Sequence, residues 1–182
     1  MKMKTLAEIK IGETFKVADI EFIKFADENG NTIAVAKDSV FNSRFGVNNN
    51  FAESRVKSRL ESEILPKIEK AVGRENIVEH EVDLLSLDGD DKWGKVKCKI
   101  SIPTFDFYRN NVKIFDKYKL GERWWLATPD TTSTHYCDDE VLCVSPLGYI
   151  YDLPDSRGYD LGVRPFIIFV SSISVISESC EG

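Results

Sequence analysis

Two adjacent tryptophans in "RWWLATP", residues 123–129, constrain this chain more than any other feature. Each indole removes a large apolar area from water, and a buried indole N–H needs an acceptor, so one or both of Trp124 and Trp125 are expected to anchor the core. Pro129 forces Thr128 to be extended and ends the strand. "GVRP", residues 162–165, repeats that logic. Gly162 permits a tight backbone, Arg164 is held extended ahead of Pro165, and the apolar run that follows returns into a sheet. Aromatics are usually core and arginine forks often satisfy buried carbonyls, so Trp124, Trp125, Gly162, Arg164 and Pro165 read as architecture rather than chemistry.

With 182 residues, 42% hydrophobic and 30% charged, the chain suits one domain over 1–182 that buries a core without disulfides. Residues 12–40 predict an N-terminal β-hairpin of two or three strands, with Asn29-Gly30 as turn residues. Val56, Leu60, Ile64, Ile68 and Val72 recur every four residues and predict an amphipathic helix within 50–73, with Asn49 or Asn50 as its cap. Pro66 predicts a kink or a break there, and Gly73 a stop. Residues 77–182 read as strands separated by polar loops, with one short helix capped by Thr104. The class is α+β, helices packed on a mainly antiparallel sheet.

A formal net charge of −6 disfavours direct binding to phosphate backbones, which depends on Lys and Arg. An acidic chain can instead pair with a basic protein, including one that itself holds nucleic acid. Neither a signal peptide nor a bilayer-spanning apolar run is recognised, so the expectation is a cytoplasmic protein with no membrane contact. Cys98, Cys137, Cys143 and Cys180 show no CxxC spacing and read as reduced thiols.

In order along the chain, "IGETFKVADIEFIKF", "NNNFAESRVKSRL", "VDLLSLDG", "ISIPTFDFYR", "WWLATP" and "LGVRPF" resemble the bacterial and phage domain of unknown function 6273. That family is similar to the C-type lectin-like proteins that share the formylglycine-generating-enzyme fold. The resemblance implies a C-type lectin-like fold, a phage or prophage setting in a bacterial host, and a ligand-binding surface between the two motifs.

"DTTSTHYCDDE" and "YDLPDSRGYD" carry tyrosines and short polar residues on loops, the composition of adaptable binding surfaces. The expected function is therefore a non-enzymatic protein-binding module using loops 130–140 and 149–160. The candidate contact residues are Asp130, Thr132, Thr134, His135, Tyr136, Asp138, Asp139, Tyr149, Tyr151 and Tyr159. One alternative is a phage-encoded anti-CRISPR inhibitor that binds Cas9 and blocks DNA binding or cleavage. Another is an enzyme related to the formylglycine-generating fold, using Cys137 or Cys143. No cofactor motif is found, and the cluster of His135, Cys137, Asp138 and Asp139 lacks the second ligand pair of a zinc site, so no metal is expected.

Overall fold

The computed structural model describes residues 2–132, 140–154 and 158–177. Strand β1 (Lys2–Thr5) is followed by the meander β2 (Thr14–Val17), β3 (Ile20–Glu28) and β4 (Asn31–Ala36). Asn29 and Gly30 turn β3 into β4 with φ of 52° and 77°, the paired left-handed conformation of a type I′ hairpin turn. The short β5 (Phe41–Ser43) then leads towards the helical stretch.

The apolar stripe over 50–73 is divided among α1 (Arg55–Arg59), a π-helical turn (Leu60–Ile64) and α2 (Leu65–Val72). Ser54 caps α1, its hydroxyl accepting the Lys57 N–H at 3.0 Å, while Asn50 caps a separate 3-10 turn over Phe51–Glu53. Pro66 is the second residue of α2, which runs on directly from the π turn, so its missing N–H falls where the helix changes type. Ahead of it the Leu65 N–H reaches back to the Leu60 carbonyl, a wider turn that relieves the clash between a proline ring and the preceding backbone. Val56, Leu60, Ile64 and Ile68 are all buried, so the stripe packs despite the change of helix type.

The second half comprises β6 (Ile77–Val78), β7 (His80–Asp83), β8 (Lys95–Cys98), α3 (Phe105–Asn110) and α4 (Val112–Phe115). Thr104 caps α3 by accepting the Phe107 N–H at 3.2 Å. Six strands close the chain: β9 (Trp124–Pro129), β10 (Glu140–Val144), β11 (Ile150–Pro154), β12 (Leu161–Val163), β13 (Phe166–Val170) and β14 (Ser174–Ser177).

These strands form an α+β fold of three sheets. A seven-stranded antiparallel sheet has the order β1-β14-β2-β3-β4-β13-β6, so the first and last strands pair. A five-stranded sheet has the order β11-β10-β9-β12-β5, antiparallel except where β12 meets β9 at Gly162 and Trp124. β7 and β8 form a hairpin apart from both. Among the described residues, no helix is long and apolar enough to cross a membrane.

β9 is buried along its whole length. Successive residues of a strand face opposite ways, so the tryptophans enter different cores. Trp125 joins the larger cluster with Phe45, Phe51 and the helical stripe, and its indole N–H donates to the Ser43 carbonyl at 2.8 Å. Trp124 joins the smaller one, stacked on Phe115 at 5.5 Å between ring centroids. "GVRP" carries the chain from the five-stranded to the seven-stranded sheet. A Cβ at Gly162 would collide with the Ser39 hydroxyl, and Arg164, fully buried, donates from Nε to the Ala36 carbonyl at 2.9 Å. Its guanidinium lies 4.9 Å from the Trp124 ring centroid and 5.2 Å from that of Phe115.

Trp125→Phe removes the bond to Ser43 and leaves a void in the larger cluster. A loss of about 2–3 kcal/mol, or about 5–10 °C in Tm, is expected in thermal and denaturant unfolding.

Candidate functional site

Strand direction decides where the expected contact residues lie. β9 and β11 run one way and β10 the other, so Asp130, Glu140 and the end of β11 share one end of the five-stranded sheet. Tyr149 precedes β11 and Tyr159 precedes β12, at the opposite end. At about 3.3 Å per residue, Tyr149 and Pro154 are about 16 Å apart. Among the described contact residues, Asp130 is therefore at one end of the sheet and Tyr149 and Tyr159 are at the other. Tyr149, Tyr151 and Tyr159 are exposed, and the Arg123 guanidinium lies 5.2 Å over the Tyr151 ring. Thr132, expected on the surface, is 1% exposed, and its carbonyl accepts from Lys92 Nζ at 3.3 Å. Thr134, His135, Tyr136, Cys137, Asp138 and Asp139 lie outside the described residues. Trp124, Trp125, Gly162, Arg164 and Pro165 are all interior.

At the first end, Asn49 is buried and holds three groups at once. Its amide donates to the Thr131 carbonyl at 2.6 Å and the Glu140 carbonyl at 3.2 Å, while its Oδ1 accepts the Trp93 indole N–H at 2.9 Å. The backbone therefore leaves β9 and enters β10 at fixed points. Beside this anchor, ligand atoms of Asp130, Glu140 and Asp152 all lie within 4.8 Å of one another. Burial, then the charges of Asp152 and Asp88, pushes the Asp130 carboxyl above its ordinary pKa. Asp88 goes the other way, held down by hydrogen bonds from the Ser86 and Thr131 hydroxyls. An all-oxygen set of this kind suits a hard divalent cation. It is not the His135 cluster weighed from the sequence.

A second candidate escapes sequence reasoning altogether. Between the β7–β8 hairpin and α3 lies a cleft of about 470 Å³. Phe105, Phe107 and Phe166 wall it, with Phe107 and Phe166 edge to face at 5.0 Å. His80, at the start of β7, lies 5.0 Å from the Phe166 ring and shares a 2.8 Å hydrogen bond between Nε2 and the Ser101 hydroxyl. Burial pushes the His80 pKa down to about 4, with the Val78 backbone and Glu79 pulling weakly the other way. The imidazole is thus neutral at physiological pH and too weak a base to activate Ser101.

The two thiols among the described residues carry no nucleophile signature either. Cys98 and Cys143 are free and buried, and burial raises both pKa values to about 11, whereas reactive cysteines have lowered ones. Cys143 faces the larger core, with Trp125 as its strand partner.

Two pH effects follow with opposite signs. His80 has a folded pKa below its ordinary 6.5, so its contribution is complete above about pH 6.5 and is lost as the pH falls towards 4. The total is about 3 kcal/mol. NMR titration should place His80 near pH 4, and His80→Gln should flatten the decline in denaturant stability across that window. Asp130 has a raised folded pKa, so the wild type carries a cost at neutral pH that disappears on acidification. Asp130→Asn should raise Tm by about 1–2 °C at pH 7, a gain that vanishes below the ordinary carboxylate range.

Comparison of the chain with protein-family models, with curated proteins and with solved structures finds no match.

Proposed function

We propose that the chain is a non-enzymatic protein-binding module whose contact surface runs along β11. The observation that carries this reading is the exposure of Leu147 at 70%, Tyr149 at 60% and Tyr151 at 43%, along one edge strand and the turn before it. An edge strand offers backbone donors and acceptors to a partner, and tyrosines add contact area at low entropic cost. Asp152 on the same strand and Asp130 beyond its neighbour add negative charge, which favours a basic partner and a fast, salt-sensitive association. Among the described residues, the buried, high-pKa thiols of Cys98 and Cys143 and the weakly basic His80 favour binding over catalysis.

The same reading takes the fold as C-type lectin-like. Its support is that "WWLATP" and "GVRP" occupy neighbouring strands, with the polar segment leaving from the end of one of them.

The test compares wild type with a Tyr149→Ala/Tyr151→Ala double variant of unchanged circular dichroism. Partner capture should fall at least about tenfold, roughly the loss of one good aromatic contact. Asp130→Asn/Asp152→Asn should instead slow association and flatten its salt dependence. Capture unchanged by the tyrosine pair overturns the reading. DNA cleavage unimpaired by excess protein removes Cas9 as the partner.

A further inference from the structure

We propose that the cleft between β7 and α3 is a binding site for a small uncharged aromatic molecule bearing a hydrogen-bond acceptor. Its volume of about 470 Å³ lies within the range of about 300–1,000 Å³ that small-molecule sites occupy. Such sites are mostly apolar with a few placed polar groups, and the lining has that composition.

The walls define an aromatic guest. Phe107 and Phe166 already meet edge to face, and His80 adds a third ring 5.0 Å from Phe166, so a flat guest finds ring faces and ring edges around it. At the mouth, Leu85 and Leu87 are two large apolar side chains left in water, which a bound guest would cover.

The charges disfavour an anionic guest. On the lining, Arg109 pairs with Asp106 at 3.0 Å, while Glu81 and Asp83 share Lys95 beside the cleft, at 2.9 Å and 3.9 Å. The lining therefore keeps an excess of negative charge, and its one arginine is already paired, so an uncharged guest enters where an anion is repelled.

The hydroxyls define the acceptor. Thr104 Oγ1 accepts the Phe107 N–H at 3.2 Å and Thr128 Oγ1 accepts the Phe105 N–H at 2.9 Å. Both residues line the cleft. Because each oxygen serves as the acceptor in those bonds, each hydroxyl proton remains to be donated. A guest carbonyl or ring nitrogen would take it.

The probes are coumarin, quinoline and chromone, with 2-naphthoate as the charged control and indole as the aromatic lacking an acceptor. They are titrated into the full chain while backbone amide shifts are followed by NMR. At least one of the three uncharged acceptors should give saturable shifts at Ser101, Thr104, Phe105, Phe107 and Thr128, with Kd below about 1 mM. 2-Naphthoate and indole should each bind at least about tenfold more weakly. Leu87→Lys, at the exposed rim, should weaken binding without altering the rest of the spectrum, and Thr128→Val, which leaves Thr104 as the remaining donor, should reduce the preference over indole. Four results overturn the proposal: no saturable shift at those residues from any of the three, equal binding of 2-naphthoate, indifference to Leu87→Lys, or an undiminished preference over indole in Thr128→Val. None depends on the tyrosine edge, so this site and the proposed protein contact stand or fall separately.

Discussion

Because neighbouring residues of a strand face opposite ways, a Trp-Trp pair can be buried only where the sheet has a core on each side. The rest of the structure supplies those two cores. The larger one needs the helical stripe of Val56, Leu60, Ile64 and Ile68, and the smaller one needs Tyr108 and Phe115 from the second helical stretch. Both also draw on the seven-stranded sheet, Phe22 and Ala34 facing one and Ile23 and Val35 the other. Arg164 couples the layers. A buried guanidinium is costly to desolvate, and burial lowers its pKa to about 10, yet it stays charged at neutral pH. The Ala36 carbonyl and the faces of Trp124 and Phe115 offset that cost and fix how the two sheets meet.

Much of this frame is legible in the residues. "RWWLATP" and "GVRP" announce buried strands ended or interrupted by proline, Asn29-Gly30 marks a type I′ turn, and Thr104 marks a helix start. Pro66 signals a disturbance, but its form, a π turn placed before the proline, depends on which carbonyls the ring crowds. Asn49 looks like a cap and is instead a tertiary bridge, a role that requires knowing that Thr131, Glu140 and Trp93 converge on it.

The candidate sites are less legible because they are products of pairing. Asp130, Glu140 and Asp152 come from three successive strand regions and meet only through the register of β10 with β9 and β11. That register also separates Asp130 from Tyr149, which share a polar composition but not an end of the sheet. His80 and Ser101 are 21 residues apart, and the cleft they help to line exists because β7 and β8 form a hairpin outside the two large sheets. No periodicity in the sequence marks that independence.

The Asn49 anchor has a consequence for how this chain tolerates change. With Thr131 and Glu140 tied to one buried amide, the end-to-end distance of the intervening chain is set by the scaffold rather than by the sequence it spans. The Trp93 indole N–H rests on the oxygen of the same amide, so the exit of β9, the entry of β10 and the Trp93 ring are coupled through one side chain, and none of the three shifts without loosening the other two.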